Sequence, residues 1–358
     1  MSVILVRKKE TLITRGYFSK ALLIALPAVR VDVPVLSNFM MTPEQIKYHA
    51  EILSNRVKRM YNHLRKRFAR QQIDCFRLYD WDIPEVRAVV DWYAGHLVVA
   101  EYERTQTGPE WLPAMAKAVA QALNVPPENT HIKRRRTNTA EGPRYSASKY
   151  IKGKHFKVRE RNLQFWVNLD DFLDTGLYSD HRDTRVLVGK LAAGKDFLNL
   201  FAYTGAFTCA AAAGGAKSTT TVDRSATYLD WAKENLALNG LSGPQHTLVQ
   251  SDAGRFLERV AREKRRFTLA VVDPPSFFQD HTQGTSFDIS RDHPDLIRKV
   301  LKVMVPGSTV FFSTNHQRFV PRLEGLPVKD LKELTPATIP EDYRNRGIHR
   351  CWRMTAGG

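Results

Sequence analysis

The sequence predicts an α/β protein: a mainly parallel, doubly wound sheet that follows a smaller α+β domain. From about residue 186 to the end, short apolar runs alternate with helical stretches, and the links between them are short. Alternation of this kind is typical of parallel strands joined by helical crossovers. The expected strands are 197–201, 218–222, 246–250, 269–272 and 309–313, and the expected helices are 206–213, 226–238, 253–263 and 294–303. Ligands of such sheets bind beyond the carboxyl ends of the strands.

The charge balance of the chain predicts a polyanionic partner. The 358 residues allow two or three domains, and they carry a formal net charge of +17. Because such an excess repels itself in a compact fold, we expect a nucleic acid to neutralise it, although a membrane surface would also attract it. The cysteines are too few and too scattered for a disulfide framework or a zinc site, so a reducing cytoplasm and no metal are expected. They are Cys75, Cys209 and Cys351.

No transmembrane span is expected. The longest apolar run, 21–29, is short and contains Pro27. It follows a basic stretch and so weakly resembles a signal peptide, but the rest of the chain favours an N-terminal extension. Residues 1–41 therefore stay unassigned.

A long basic helix is expected next. Thr42 is the expected N-cap, and apolar side chains recur at steps of three and four residues from there to about Gln71. The other face of this helix is densely basic, which favours contact with phosphates, although a solvated face is the alternative. The RNA-binding candidates on this face are Arg56, Lys58, Arg59, Arg65 and Lys66.

A small α+β domain follows, with expected strands 75–79, 88–92, 97–102, 130–135 and 157–167 and a helix over 109–123. Between its later strands lies a loop, 133–155, in which basic residues alternate with Tyr145 and Tyr150. Charge beside stacking surface is typical of binding to unpaired RNA, and the alternative is a flexible, solvated hairpin. The RNA-binding candidates here are Arg134, Arg135, Arg136, Lys152 and Lys154.

The first strand of the α/β half runs into a turn with a single glycine, Gly205, and then into a helix. One glycine, where a dinucleotide fingerprint has three, favours a smaller nucleoside cofactor over a pyrophosphate. Asp223 ends the second strand, where a carboxylate can accept both ribose hydroxyls; a helix cap is the alternative. Asp252 ends the third strand and can reach an adenine amine, or it can simply cap the next helix.

The fourth strand ends in the sharpest motif, Asp273-Pro274-Pro275-Ser276-Phe277. The two prolines restrict the backbone, so that a carbonyl and the Asp273 carboxylate project into the site. The aromatic ring of Phe277 can stack on an extruded base. We therefore take Asp273, Pro274, Pro275 and Phe277 as the catalytic candidates.

These motifs resemble those of class I S-adenosyl-L-methionine (SAM) dependent methyltransferases of ribosomal RNA, on segments 198–205, 219–223 and 273–277. The pattern is most similar to the guanine-N7 methyltransferase half of the bifunctional bacterial 23S rRNA methyltransferases, which also shares segments 168–177, 180–182, 344–346 and 348–352. The similarity covers roughly residue 50 to the end. The guanine-N2 half of those enzymes is absent, so a free-standing version is expected.

The resemblance implies a Rossmann-like SAM methyltransferase domain at 169–358, behind a basic helix (42–72) and a small α+β RNA-binding domain (73–168). It implies methylation of 23S rRNA, or of its large-subunit precursor, with SAM as the cofactor. Asp223, Asp252 and Asp273 would hold SAM, while Asp180 and Arg182 would pin the approach segment beside it. The other cofactor-binding candidates are Asn199, Phe201, Tyr203, Gly205, Arg224 and Ala253.

The cysteine positions bear on the methylated atom. Methylation of cytosine carbon 5 needs a thiol that adds to the ring, and neither Ser276-Phe277 nor Ser313-Thr314-Asn315 contains one. Guanine N7 carries an in-plane lone pair and no proton, so positioning alone suits it. The alternatives are a 5-methylcytosine enzyme, a methyltransferase of an exocyclic amine such as guanine N2, and a non-catalytic RNA-binding assembly factor.

Overall fold

A computed structural model of the protein describes residues 41–102, 104, 106–135, 155–280 and 285–357. The helices are α1 (Pro43–Arg70), α2 (Gly108–Leu123), α3 (Arg182–Leu191), α4 (Ala206–Ala213), α5 (Ala226–Leu238), α6 (Ala253–Arg262), α7 (Ile289–Leu301) and α8 (Thr335–Thr338). The first six strands are β1 (Cys75–Asp80), β2 (Ala88–Tyr93), β3 (His96–Tyr102), β4 (Thr130–Arg135), β5 (Phe156–Glu160) and β6 (Leu163–Val167). The later strands are β7 (Asp196–Leu200), β8 (Ser218–Asp223), β9 (His246–Gln250), β10 (Phe267–Val272), β11 (Phe277–Asp280), β12 (Thr285–Asp288), β13 (Met304–Thr314), β14 (Val328–Glu333) and β15 (Arg350–Ala356). Within these described ranges, no helix is both long enough and apolar enough to cross a membrane.

The long basic helix α1 begins at the expected cap. The Thr42 hydroxyl accepts the Gln45 N–H at 3.3 Å, and the Gln45 side chain accepts the Thr42 N–H at 2.9 Å. This reciprocal pair satisfies two of the N–H groups that a helix start leaves without partners. The apolar stripe, including Leu53 and Phe68, is buried against β1–β3 and α2. The helix therefore shares one core with the small α+β domain.

The four-stranded sheet of that domain has the order β1-β2-β3-β4, with only the β3–β4 pair parallel. All four strands match the expected ranges to within one residue. The expected strand 157–167 is wrong in one respect, because it is the hairpin β5–β6. Arg161 turns the chain with a φ of 59°, and its N–H donates to the Gln72 carbonyl at 2.9 Å.

The expected mainly parallel sheet is confirmed. Its order is β14-β15-β13-β10-β7-β8-β9; the strands from β13 to β9 are parallel, and β15 and β14 are antiparallel. Helix α7 begins at Ile289, earlier than the expected residue 294. Pro294 lies inside this helix, and because proline has no N–H, the Ser290 carbonyl has no helical partner there; the Arg322 guanidinium donates to it instead.

Buried ion pairs join the small domain to the sheet. The Arg182 guanidinium donates to both Asp342 oxygens at 3.2 Å and to the Cys75 carbonyl at 3.0 Å. Asp342 also accepts the N–H of Arg77 in β1 at 2.9 Å. Beside this pair, Arg185 binds Glu160 of the hairpin with two hydrogen bonds of 2.6 and 2.7 Å. These contacts place β1, the hairpin, α3 and the C-terminal segment in fixed relation.

We expect the change Asp342→Leu to reduce the free energy of unfolding by roughly 3–5 kcal/mol, because it removes the carboxylate to which the buried Arg182 is hydrogen-bonded and leaves only Glu160, at 3.9 Å, near this charge. The double variant Arg182→Met/Asp342→Leu should lose much less, since neither member of the pair is then left buried without the other. Urea unfolding would measure both. As a control, Asp295→Ala breaks the exposed pairs with Arg298 (3.1 Å) and Lys299 (3.3 Å) and should cost under about 1 kcal/mol. A double variant as unstable as Asp342→Leu would contradict this account.

Stability should also fall on acidification, partly through His49. Its Nδ1 accepts the indole N–H of buried Trp111 at 3.2 Å, and burial lowers the pKa of the imidazole. The unfolded chain then takes up the proton first, so the free energy of unfolding decreases as the pH falls through about 6.5. We expect a lower melting temperature at about pH 5.5 than at about pH 7.5.

The variant His49→Gln should show a smaller drop, because the glutamine side chain can accept the same indole N–H and does not titrate. The exposed His63→Gln serves as the matched control and should behave like the wild type. An identical pH dependence in His49→Gln and the wild type would rule out this contribution.

Candidate cofactor and acceptor site

The turn after β7 has an unusual backbone. Phe201, Tyr203 and Gly205 have φ values of 57°, 50° and 74°. Residues other than glycine rarely adopt positive φ values. Two such residues in one turn therefore indicate a strained backbone that neighbouring contacts must stabilise. A Cβ at Gly205 would lie 2.7 Å from the Ala232 Cβ, so only glycine fits between this turn and α5.

Asp223, at the end of β8, supports that turn. Its carboxylate accepts the N–H groups of Tyr203 and Ser225, each at 2.9 Å. Burial raises the pKa of Asp223, while these N–H contacts oppose the rise. A carboxylate has about four acceptor positions, so two ribose hydroxyls can still bind it. Next to it, the Arg224 guanidinium lies 5.0 Å from the centre of the Phe278 ring.

The segment before α3 is tied to the same turn. The Tyr203 hydroxyl accepts the Gly176 N–H at 3.0 Å, and the Thr204 hydroxyl donates to the Gly176 carbonyl at 2.6 Å. The Tyr203 ring lies 4.6 Å from that of Tyr228 and 5.1 Å from that of the half-exposed Tyr178. Aromatic side chains thus cover one side of the turn.

Asp252 caps helix α6, as the alternative interpretation of the sequence expected. Its side chain accepts the Arg255 N–H at 3.1 Å, and the following Ala253 is buried. The carboxylate has further acceptor positions, so capping does not prevent it from accepting the adenine amine as well. The contact with adenine stays a prediction.

The ends of β10 and β13 meet at the Asp273 motif. The Ser313 hydroxyl donates to Asp273 at 2.6 Å, and the Ser276 hydroxyl donates to the Asn315 side chain. Pro274 is buried and Pro275 is partly buried, whereas the Phe277 side chain is 53% exposed. The structure therefore has a carboxylate at the carboxyl edge of the sheet and an exposed ring four residues after it.

A buried histidine pair, missed by the sequence analysis, adjoins Asp273. His181 Nε2 lies 3.7 Å from Asp180 and 3.6 Å from Asp273, and its ring stacks on His349 at 4.2 Å. His349 contacts Asp180 at 3.0 Å and Thr338 at 3.0 Å. Burial lowers the pKa of His181. Burial alone would raise the pKa of Asp180, but the two imidazoles outweigh it and hold that pKa well below its usual range.

This cluster is poorly arranged for a metal ion. Ligand atoms of Asp180, His181 and His349 lie within 4.8 Å of one another. The two imidazole planes are only 13° apart, however, so their in-plane lone pairs do not converge on one point. The sequence signals for the cluster were segments 180–182 and 348–352, which contain His181 and His349, but only Asp180 and Arg182 were predicted to lie at the cofactor site.

Two expected cofactor contacts do not fit the structure. The two terminal nitrogens of Arg182 donate to Asp342 and to the Cys75 carbonyl, and the residue is 1% exposed. Asn199 is also buried, and its side-chain amide donates to the Thr208 hydroxyl at 3.0 Å beneath α4. Both side chains therefore point into the protein and bind other residues there, so they are not available to the cofactor.

The RNA-binding candidates have different surroundings. Lys58, Arg59, Arg65 and Lys66 are exposed on α1, whereas Arg56 is paired with Asp82 at 2.5 Å. Arg134 lies 3.3 Å from the buried Glu101 and donates to the Pro109 carbonyl. The side chain of Arg135 is outside the described part of the chain, as are Arg136, Lys152 and Lys154.

The fold is that of a SAM-dependent methyltransferase. The pattern of the S-adenosylmethionine-dependent methyltransferase family matches residues 77–325. Among solved structures, the fold is similar to that of a methyltransferase complexed with SAH (TM-score 0.68, 23% identity, 87% of this chain and 81% of that one). It is similar as well to a SAM-dependent methyltransferase from Streptococcus mutans (TM-score 0.67, 22% identity, 87% of this chain and 81% of that one).

The chain belongs to this family, and within it to the group of the ribosomal RNA large subunit methyltransferases K. It is 41% identical to the member from Neisseria meningitidis serogroup B, over 84% of this chain and 86% of that protein. It is also 40% identical to the ribosomal RNA large subunit methyltransferase K/L of Allochromatium vinosum, over 87% of this chain but 43% of that protein. The chain thus spans under half the length of the K/L proteins that it matches.

We expect Asp223→Ala to weaken SAM binding at least tenfold, because a hydrogen bond to a charged group is worth roughly 1.5–3 kcal/mol and the supporting contact to Tyr203 is lost as well. Isothermal titration calorimetry would measure the affinity. Asp230→Ala, which removes an exposed carboxylate from the neighbouring helix α5, is the matched control and should bind SAM normally. Unchanged affinity in Asp223→Ala would exclude this carboxylate from the cofactor site.

Proposed function

We propose that the protein transfers a methyl group from SAM to N7 of a guanine in 23S rRNA, or in its large-subunit precursor. Its named relatives are ribosomal RNA large subunit methyltransferases, one of them similar over most of both chains. The observation that carries the choice of atom is the acceptor side of the site. It offers the Asp273 carboxylate, two hydroxyls and the exposed ring of Phe277, and the three cysteines of the chain are buried.

The state of the thiols supports this choice. Burial raises the pKa of the Cys209 thiol to about 12 and raises the pKa values of Cys75 and Cys351 as well. An attack on carbon 6 of cytosine needs a thiolate that can reach the base, and buried neutral thiols cannot provide one. Guanine N7 needs neither a thiolate nor a general base.

The residues of the site then act by holding and orienting. SAM supplies the methyl group on a positively charged sulfur. Asp223 would bind the ribose hydroxyls, Gly205 would allow close approach at the turn, and Phe277 would stack on the extruded base. Holding the N7 lone pair in line with the methyl group can lower the barrier by roughly 7–11 kcal/mol through proximity and orientation.

We propose that the exposed basic side chains of α1 and of the small domain bind the RNA. Residues 42–168 would then form the RNA-binding part, and residues 169–358 the methyltransferase domain. The net charge of +17 supports a polyanionic substrate. Since ribosomal RNA is the proposed substrate, we also propose that the enzyme works in the cytoplasm.

An exocyclic amine, such as guanine N2, is the second candidate acceptor, because the Asp273 carboxylate could accept its N–H. Methyl transfer to unmodified rRNA, followed by nucleoside mass spectrometry and by chemical cleavage at N7-methylated guanines, separates the two. We expect N7-methylguanosine and no covalent adduct. N2-methylguanosine, 5-methylcytidine or a trapped adduct would overturn the proposal, and a failure to bind SAM would favour the non-catalytic assembly factor.

We expect Phe277→Ala to lower kcat/KM for rRNA by about tenfold or more, because stacking on a base is worth roughly 1–3 kcal/mol. The change should leave SAM affinity unaltered, since the exposed ring lies on the acceptor side. Phe277→Tyr keeps a stacking ring and should retain most of the activity. Equal kcat/KM values for Phe277→Ala and the wild type, in a tritium-transfer assay, would remove this ring from the acceptor site.

A further inference from the structure

A cleft of about 450 Å³ lies between the C-terminal half of α1, strands β1 and β2, and the β5–β6 hairpin. Its apolar part is aromatic. Tyr61 and Trp92 are partly exposed, with ring centres 4.8 Å apart, and the buried Phe76 lies behind them, 6.5 Å from Trp92. A cleft that opens to solvent and has two accessible aromatic rings offers stacking surface to a planar ligand.

The edge of the cleft is positively charged. Arg65, Lys157 and Arg159 line it, and all three are exposed. The Arg65 guanidinium lies 5.6 Å from the centre of the Tyr61 ring, so one cation already sits over the aromatic surface. The acidic lining residue, Asp74, accepts the Arg159 N–H at 2.6 Å, and burial raises the pKa of its carboxyl. The cleft thus combines stacking surface with three cations that can contact phosphates.

We propose that this cleft binds an unpaired nucleotide of the RNA substrate, at a distance from the guanine that is methylated. The proposal rests on the proposed function, because it assumes an RNA substrate. Aromatic rings beside arginine and lysine are the combination that holds single-stranded nucleotides through stacking and phosphate contacts. The amides of Gln72 and Gln164 also line the cleft and can bind the edge of a base.

The hairpin wall of the cleft is connected to residues 201–205, the turn after β7 at the proposed cofactor site, which we call the cofactor turn. The N–H of Trp166 donates to the Asn235 side chain at 2.9 Å, and the N–H of Gln164 donates to that of Asn239 at 2.8 Å. Asn235 in turn donates to the Thr204 carbonyl at 2.9 Å. A nucleotide in the cleft is therefore held at a set distance from the cofactor turn. The cleft would act as a second point of attachment that selects which guanine reaches the site.

The test measures binding of a short, unstructured, fluorescein-labelled RNA and of a matched RNA duplex by fluorescence anisotropy. Trp92→Ala should weaken the affinity for the single strand by about tenfold or more, and Trp92→Phe should weaken it less. The triple variant Arg65→Ala/Lys157→Ala/Arg159→Ala should reduce the slope of log affinity against log salt by about 2. It changes exposed residues, so it tests the cleft even where Trp92→Ala fails to fold.

The matched control Arg266→Ala/Lys302→Ala/Lys329→Ala removes three exposed charges from the methyltransferase domain and should leave both quantities unchanged. The proposal is overturned if the cleft triple variant behaves like this control. It is also overturned if duplex binding falls as much as single-strand binding, or if poly-glutamate displaces the RNA from the wild type as well as unlabelled single strand does. The last result would assign the cleft to an acidic protein segment.

The two proposals fail in different ways. If the wild type binds the single strand through the cleft but makes no N7-methylguanosine, the proposed cleft stands and the proposed function is wrong. If the wild type methylates rRNA at guanine N7, and the cleft variants bind and methylate RNA equally well, the proposed function stands and the proposed cleft is wrong. SAM affinity, measured by calorimetry, should be unchanged in every cleft variant, because none of the changed residues contacts the cofactor turn.

Discussion

The buried pair Arg182–Asp342 is the contact on which the arrangement of the site depends. A guanidinium and a carboxylate taken out of water are costly unless each finds its partner, so β1, the hairpin, α3 and the C-terminal segment have to meet in one way. Arg182 is the first residue of α3, and the turn just before it contains Asp180 and His181. The pair that joins the small domain to the sheet thus also orients the side chains beside Asp273.

The cofactor turn shows a second constraint, in which backbone strain is offset by contacts from neighbouring strands. Positive φ values at Phe201 and Tyr203 are unfavourable on their own. The Asp223 carboxylate binds the Tyr203 N–H, and Gly176 binds both the Tyr203 hydroxyl and the Thr204 side chain. Because these supports come from a strand end and a packed segment, the conformation of the turn is fixed by the protein itself, as the proposed binding of SAM would require.

Acidic and basic side chains are concentrated in different parts of the protein. Carboxylates collect at the carboxyl edge of the sheet, where Asp223 and Asp273 face the proposed cofactor site, and the His181–His349 pair lies between Asp180 and Asp273. Exposed lysines and arginines lie on α1 and around the aromatic cleft. A polyanion would therefore be attracted to the small domain, while the acidic interior of the site suits a cofactor with a positive charge on sulfur.

The sequence by itself determined the order of the five parallel strands and of the helices between them, the cap of α1 and the strand ends that carry Asp223 and Asp273. These features follow from local periodicity, capping and turn chemistry, which neighbouring residues encode. Only the tertiary structure decided that Arg182 and Asn199 turn inward, that Arg56 pairs with Asp82, and that His349 contacts Asp180. Arg182 and Asp342 are 160 residues apart and His349 and Asp180 are 169 apart, so no spacing in the sequence records either contact. Partners this distant are chosen by packing and by the cost of burying an unpaired polar group, and both exist only in the folded chain.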